Sequence, residues 1–297
     1  MKRVINYTIP EERDGVLLRE ILRRDMLISN TLLRKMKQSP DAILKNGHPA
    51  FVTVPVRAGD ELTLTIEDEC VNTSVVPRDG KLDIVFENED LLVINKPAGI
   101  TVHPTSGHYD DSIANILVGM MGEDFIFRPV SRLDKGTSGL MAIAKNSYTH
   151  TFLKRQNMVR RYKAVCQGIP KPWKGTIDAP IGRVDGSTIR REIRPDGKRA
   201  VTHYRIAELR EDRTVVELEL ETGRTHQIRV HMQSIGCPLV GDFLYGKEVW
   251  GFDRVALHSS YLKCTLPFTG EVLELETDIP EELVRLMFKI PQPYKKK

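Results

Sequence analysis

The sequence is poor in the features that mark secreted, membrane-spanning or metal-stapled proteins. Its 297 residues hold only four cysteines, Cys70, Cys166, Cys237 and Cys264, with no CxxC pair among them. Neither a zinc site nor a disulfide framework is indicated, and a reducing compartment fits. No apolar run approaches the roughly 20 residues that a membrane-crossing helix needs. Met1-Lys2-Arg3-Val4-Ile5-Asn6 lacks the apolar core of a signal peptide. A cytoplasmic protein with no membrane partner is the expectation. Repeats and low-complexity tracts are also absent. The Lys295-Lys296-Lys297 end of a basic tail (291–297) is expected to be disordered.

What is present is a globular composition, 40% hydrophobic and 28% charged, in a chain long enough for one large core and a small accessory domain. The net charge of +4, with a pI near 8.8, permits a polyanion partner without demanding one, so the distribution of charge has to decide.

Residues 1–70 read as the accessory domain. Val16, Leu17, Ile21 and Leu22 follow helical spacing after Asp14. Ser29 or Asn30 is placed to cap a second helix carrying Leu32, Leu33 and Met36 inward, with Arg34, Lys35 and Lys37 towards solvent. From Asp41 to Ile66 the pattern alternates as strands, with a hairpin signal at Lys45-Asn46-Gly47 and a second turn at Ala58-Gly59-Asp60. The basic face reads either as a solvated charged helix or as an RNA contact through Arg34, Lys35, Lys37 and Lys45. The order of elements resembles the S4 RNA-binding domain, which favours RNA. Residues 71–80, within the polar stretch Glu67–Gly80, read as a linker.

The main domain is expected over 81–290. It opens as a hairpin, Ile84-Val85-Phe86 and Leu91-Leu92-Val93-Ile94 around Asn88-Glu89-Asp90. A helix capped by Ser112 follows, with Ile113, Ile116, Leu117 and Met120 on one face. The chain is then organised around Arg132-Leu133-Asp134-Lys135-Gly136-Thr137-Ser138-Gly139, a loop between two apolar runs, Phe125–Phe127 and Gly139–Ala144, both read as buried strands. Asp134 is the side chain that loop presents. Alone, it reads as a carboxylate accepting backbone N–H bonds in a tight turn.

Tyr148, Phe152 and Leu153 suggest a further helix. Tyr162-Lys163-Ala164-Val165-Cys166-Gln167 reads as a strand placing Tyr162, Ala164 and Cys166 on one face. Between Gly182 and His203 two turns, at Asp185-Gly186 and Asp196-Gly197, carry six cations, from Arg183 to Arg199, suited to tracking phosphates or simply solvated. Arg224 to Met232 reads as a helix capped by Thr225, with Ile228, Met232 and Ile235 inward and Arg229 off the apolar face. His226 and His231 are five residues apart and share no helix face, so the pair does not read as a metal site.

Four stretches then carry a second resemblance: Asn95-Lys96-Pro97-Ala98-Gly99 with Val102-His103-Pro104; Arg132-Leu133-Asp134 with Thr137-Ser138-Gly139-Leu140; Arg161-Tyr162-Lys163-Ala164; and Gly223–His231 with Gly241-Asp242 and Tyr245-Gly246. Over about residues 82–285 the chain resembles the RluA family of pseudouridine synthases. Ser131 departs from the pattern, standing where the family usually has His.

The resemblance implies an α+β fold: a mixed, mostly antiparallel sheet with flanking helices and a central cleft, preceded by the small S4-like domain. It implies isomerisation of uridine to pseudouridine, most simply in 23S ribosomal RNA with tRNA as the second candidate, by a monomer needing no metal or cofactor. Asp134 takes the role of the carboxylate that attacks ribose C1′ or uracil C6 or assists elimination. Tyr162 stacks on the uracil and removes a proton, Arg229 pairs with Asp134, and Arg132 fills the gap left by the flipped base. Lys96, Arg224, His226 and Gln227 are further expected to touch substrate. Two other classes stand beside this reading. A non-catalytic RNA-binding or ribosome-assembly factor would not need Asp134, Tyr162 and Arg229, and a hydrolase using an Asp nucleophile would need a partner carboxylate or oxyanion motif that the sequence does not show.

Overall fold

The strands of the main sheet alternate between two buried faces. Leu92, Ile94, Met141 and Ile143 point into one apolar core, and their neighbours Leu91, Val93, Leu140 and Ala142 into another. That two-residue period with both faces covered explains why Leu91–Lys96 and Ser138–Ala144 read as unbroken apolar runs in the sequence. The computed structural model describes residues 2–67, 75–122, 124–156, 158–209, 213–246 and 252–288. Cys70, part of the expected linker and the basic tail lie outside them.

The ten-stranded sheet runs, edge to edge, through Lys174–Asp178, Val201–Leu209, Arg213–Leu220, Val159–Gln167, Leu257–Thr265, Ser138–Ala144, Leu91–Lys96 and Asp83–Glu87. Val272–Glu276 and Arg128–Pro129 are added as side branches. Among the described residues a single pairing is parallel, His258 opposite Ser138 and Ser259 opposite Gly139; the rest of this sheet is antiparallel. Helices Ile113–Met121 and Gln227–Ser234 pack on one face through Ile113, Ile116, Leu117, Ile228 and Met232. Helix Ser147–Arg155 covers the other face through Leu153, and helix Glu281–Phe288 through Leu283. This is an α+β fold on a mixed, mostly antiparallel sheet.

Local signals explain most element ends. Ser112 caps its helix in a reciprocal box with Asn115, and Asn146 accepts from Thr149 N–H at 2.8 Å to start the next. One expected strand does not form. Phe125 and Phe127 are half-buried against the core, and the chain pairs with the sheet only at Arg128–Pro129, where proline has no N–H to extend the ladder.

Residues 2–67 form a separate four-stranded antiparallel sheet, ordered Lys2–Thr8, Glu61–Glu67, Ile43–Lys45, His48–Pro49. It carries a short helix, Leu18–Glu20, running on as a wider turn to Asp25, and the helix Asn30–Met36. Ser29 caps the latter, its hydroxyl accepting from Leu32 N–H at 3.1 Å. Asn46 and Gly47 both take positive φ, the backbone that a two-residue hairpin turn requires. The core of this unit extends into the large one, where Tyr148 is buried with it and Phe152 and Phe268 pack alongside. Arg3 reinforces the junction, donating to Asp90 at 2.6 Å and to Glu89.

Candidate active site

Asp134 sits where the Arg132–Thr137 loop enters the central strand Ser138–Ala144. The loop is closed by its own main chain, Thr137 N–H donating to the Asp134 carbonyl at 3.0 Å. The side chain is therefore available for something other than the turn. It is 28% exposed and accepts from Arg229 Nη1 at 3.1 Å.

Lys96 holds the loop from below. Its side chain is fully buried, and Nζ donates to the carbonyls of Pro97 at 2.8 Å, Lys135 at 3.3 Å and Thr137 at 2.9 Å. Burial pulls this ammonium down to about 7, with the charge of Asp134 acting the other way. The expectation that Lys96 touches substrate is corrected: two of its donors are spent on the loop that carries Asp134 and the third on Pro97.

Arg229 is also placed differently from its sequence reading. It is 5% exposed, not off the core, because helix Gln227–Ser234 is buried from Gln227 to Met232. A guanidinium tolerates that position only if paired. Asp242, with a fully buried side chain, supplies the pair through Nε to Oδ2 at 2.7 Å and Nη2 to Oδ1 at 2.8 Å. Asp242 is itself fixed by the amides of Leu244 and Tyr245, which donate to Oδ1 at 3.1 and 3.2 Å. Burial works against the Arg229 charge, but Asp242 and then Asp134 outweigh it and hold the pKa above its ordinary value. The result is a planar fork gripped on one edge and aimed at Asp134 with the other.

The helix begins later than expected. His226, not Thr225, precedes it, in the left-handed region at φ 58°. The reason is Gln227, whose Oε1 accepts from Arg224 N–H at 2.9 Å and Thr222 Oγ at 2.8 Å, while Nε2 donates to Val201 O at 2.9 Å and Thr202 Oγ at 3.0 Å. That carboxamide ties the turn down and has no donor or acceptor left over, so Gln227 is corrected from a substrate contact to a structural clasp. His226 is brought to the site: Nε2 lies 3.8 Å from Asp134, and Nδ1 is 2.9 Å from the Tyr245 hydroxyl, which accepts from Arg191 N–H at 2.8 Å. Burial keeps the imidazole pKa below its usual value, Asp134 opposing that and Arg229 adding to it. His226 therefore faces Asp134 uncharged near neutral pH.

Tyr162 is 5% exposed and lies on the core-facing side of Val159–Gln167, together with Ala164 and Cys166 as its spacing predicts. Burial raises the pKa of its hydroxyl, Arg160 and the Ser259 hydroxyl pull it down, and Asp134 raises it further. At rest the hydroxyl carries its proton.

Asp134, Tyr162, His226 and Arg229 border one open cleft of about 880 Å³, while Lys96 and Asp242 support them from outside it. Arg128, Arg132, Lys135, Lys154, Arg160, Arg191, Arg224 and Arg229 line it, against a single carboxylate, Asp134. Such a field accepts a polyanion and steers it towards the one acidic group. Arg132 and Arg224 are exposed at the cleft, and Ser131 lies half-buried in its wall. Among the described residues no group of three or more His, Cys, Asp or Glu side chains is arranged to hold a metal. No described helix is long and apolar enough to cross a membrane.

The other sequence-named cations fare unequally. Arg34 and Lys37 are exposed on the N-terminal unit and Lys35 is half-buried. Lys45 is partly exposed and its Nζ donates to Asp60 at 2.9 Å, so part of its charge is offset within the unit. In the hairpin Ile181–Arg183 with Arg191–Ile193, Arg194 is likewise occupied, by Asp196 at 2.8 Å and Asp185 at 2.6 Å. Sequence reasoning gave no role to Asp242, Tyr245 or Arg160. The first two stood in the Gly241-Asp242 and Tyr245-Gly246 signals, and Arg160 stands two residues before Tyr162, on the same strand face.

A carboxylate ion-paired to a buried arginine, beside a buried tyrosine in a basic cleft, defines an enzyme that works on a nucleic acid. The comparisons with known proteins specify which. Residues 90–234 match the family model described as RNA pseudouridylate synthase. The chain is 41% identical over 257 residues to the Bacillus subtilis (strain 168) protein named "Uncharacterized RNA pseudouridine synthase YlyB", covering 82% of this chain and 84% of that one. It is 40% identical over 236 residues to ribosomal large subunit pseudouridine synthase D of Zymomonas mobilis, covering 72% and 74%. The solved structure of human RNA pseudouridylate synthase domain containing 1 superposes with a TM-score of 0.55 at 27% identity, covering 72% of this chain and 97% of that one. The chain belongs to the RNA pseudouridine synthase family and is an isomerase that converts uridine in RNA to pseudouridine.

Proposed function

We propose that the RNA is the large-subunit ribosomal RNA and that the protein acts on it in the cytoplasm. The names of relatives such as the Zymomonas mobilis enzyme support the substrate, and the cationic lining of the cleft supports a long polyanion.

The chemistry rests on one observation, the chain from buried Asp242 through Arg229 to Asp134, whose last two members line the cleft. Isomerisation breaks the N1–C1′ bond, turns the uracil and joins C5 to C1′; C5 loses a proton and N1 gains one, so no external reactant is consumed. The uridine must first leave its stack, at a cost of about a few kcal/mol, which favours loops over duplex. Arg132, exposed at the cleft, fills the vacated space. Asp134 drives cleavage of the glycosidic bond, oriented by Arg229, whose position is set in advance by Asp242 and so needs no rearrangement during the reaction. Tyr162 offers its ring to the flipped base and its hydroxyl to the proton transfer. His226 and Arg224 hold the substrate on the other wall.

The S4-like reading of residues 1–70 gives the N-terminal unit the task of gripping RNA away from the reacting base, with Arg34 and Lys37 as its exposed cations. Pseudouridine mapping on RNA from a strain lacking this protein tests the substrate. Loss of one or more sites in 23S ribosomal RNA is expected, and loss confined to tRNA would replace the proposal with a tRNA enzyme.

A further inference from the structure

Several basic side chains outside the cleft are matched with carboxylates, among them Lys45 with Asp60, Arg194 with Asp185 and Asp196, and Arg205 with Glu217. One concavity instead gathers arginines. At the junction of the two units a concavity of about 410 Å³ is lined by Arg19, Glu20, Arg23, Arg24 and Arg155. Arg24 has Glu20 at 3.6 Å, but Arg19 and Arg23 have no carboxylate partner among the described residues, and all four arginines are exposed. Four guanidinium groups around one carboxylate leave a net positive field at the concavity, which an anion among them would neutralise.

The groove is built from both units. Arg155, the last residue of helix Ser147–Arg155, donates from Nη1 to the carbonyls of Arg23 at 3.4 Å and Leu27 at 3.3 Å. Leu27 holds a positive φ of 55°, unusual for a residue with a side chain, in the turn that offers its carbonyl to Arg155. The same helix sends His150 and Lys154, one turn apart on one face, to the wall of the catalytic cleft. Lys154 lines the cleft and Arg155 lines the groove, and the two are consecutive at the end of this helix, so the two cationic sites flank one helix end.

From this adjacency we propose that the groove is a second binding site for the substrate RNA. It takes phosphates of the strand that leaves the catalytic cleft, and it uses Arg19 and Arg23 rather than the helix face carrying Arg34 and Lys37. The proposal rests on the RNA-modifying reading of the cleft and adds the route that the strand takes. A phosphate chain suits the site because guanidinium forks bind phosphate oxygens in pairs and several lie in a row.

The experiment measures the dissociation constant of the full-length protein for transcribed 23S ribosomal RNA as a function of salt. In the double variant Arg19→Ala/Arg23→Ala the slope of log affinity against log salt is expected to fall by about 0.7 for each single-strand phosphate that is no longer neutralised. The single-turnover rate at saturating RNA should stay unchanged. Arg34→Ala/Lys37→Ala should move the slope less. Arg19→Lys/Arg23→Lys, which keeps the charge but not the paired fork, should restore the salt slope while recovering only part of the affinity, and so separate phosphate binding from a folding defect. An unchanged slope in Arg19→Ala/Arg23→Ala overturns the proposal. So does an unchanged RNA slope with lost binding to polyglutamate, which would assign the groove to an acidic protein. Pseudouridine formation by the unaltered protein on the same RNA is read separately: its absence counts against the substrate reading, while the slope still reports on the groove.

Discussion

Asp242 and Arg229 face each other in a two-bond fork at 2.7 and 2.8 Å, and the opposite edge of the guanidinium meets Asp134 through Nη1. Asp242→Ala should therefore damage two properties together. Removing one partner of a buried ion pair leaves an uncompensated charge, costing about 3–5 kcal/mol of stability. The freed Arg229 should also lose its fixed aim at Asp134. Thermal unfolding and single-turnover rate on one preparation check this: a destabilised variant with undiminished rate would make Asp242 a purely structural residue.

Asp134→Asn is expected to abolish isomerisation while RNA still binds. The amide keeps the size of the side chain and an oxygen for Arg229 but removes the carboxylate charge. Eight cations still line the cleft, so affinity should hold or rise slightly. Measurable turnover by the pure variant would remove Asp134 from the reaction.

Tyr162 combines a ring and a hydroxyl whose roles separate on substitution. Tyr162→Phe should keep affinity, since stacking on an aromatic, worth roughly 1–3 kcal/mol per base, needs no hydroxyl. It should lose rate by about 10²–10⁴-fold if the hydroxyl takes part in proton transfer. Tyr162→Leu should lose both. Because the hydroxyl pKa is raised, the proton-transfer role also predicts a wild-type single-turnover rate that keeps climbing above neutral pH. A fully active Phe variant would leave stacking as the whole contribution.

The N-terminal unit should be acid-sensitive through Asp60. Arg57 N–H at 2.7 Å, Lys45 Nζ at 2.9 Å and Asn46 Nδ2 at 2.7 Å all donate to it. The Arg57 amide first and Lys45 second bring its pKa down from 3.8 to about 2. A carboxylate depressed on folding stabilises fully above its unfolded pKa and loses that contribution as pH falls through its folded one. Stability should therefore decline from about pH 4 to about pH 2. Asp60→Asn should flatten that decline and lower stability at neutral pH by on the order of 2 kcal/mol. Urea unfolding at several pH values measures it, and an unchanged acid limb would place the sensitivity elsewhere.

The sequence was most legible where a local rule decides the outcome. Ser29, Ser112 and the Asn46-Gly47 turn are local, and each behaves as its spacing implies. The face shared by Tyr162, Ala164 and Cys166 was legible for the same reason, since a strand has a fixed period. What escaped was long-range pairing of polar groups. Lys96 and Gln227 sit in motif stretches and read as substrate contacts, yet both are consumed by partners within the protein, for Lys96 a carbonyl 41 residues away. Arg229 has the pattern of an exposed helix position until Asp242 folds over it. No periodicity announces such a partner, because the cost of burying a charge is offset by a residue in a different element. The position of Tyr162 on its strand could be read; what lies opposite it could not.

The strand Leu257–Thr265 lies between Val159–Gln167 and Ser138–Ala144, joined to the second of these by the parallel pairing. During synthesis the strands around Asp134 and Tyr162 therefore emerge with a vacant lane between them; Arg128–Pro129 covers only the Ile143–Ala144 end of one bordering edge, and the rest stays unpaired until the chain has been made to about residue 265. Domain folding on the ribosome proceeds from the N-terminus, and the N-terminal sheet closes early because its strands span only residues 2–67. The catalytic unit has to wait. A chain stopped at residue 256 would contain Asp134, Tyr162, Arg229 and Asp242 and still be inert, with two open strand edges directing it to aggregation rather than to RNA.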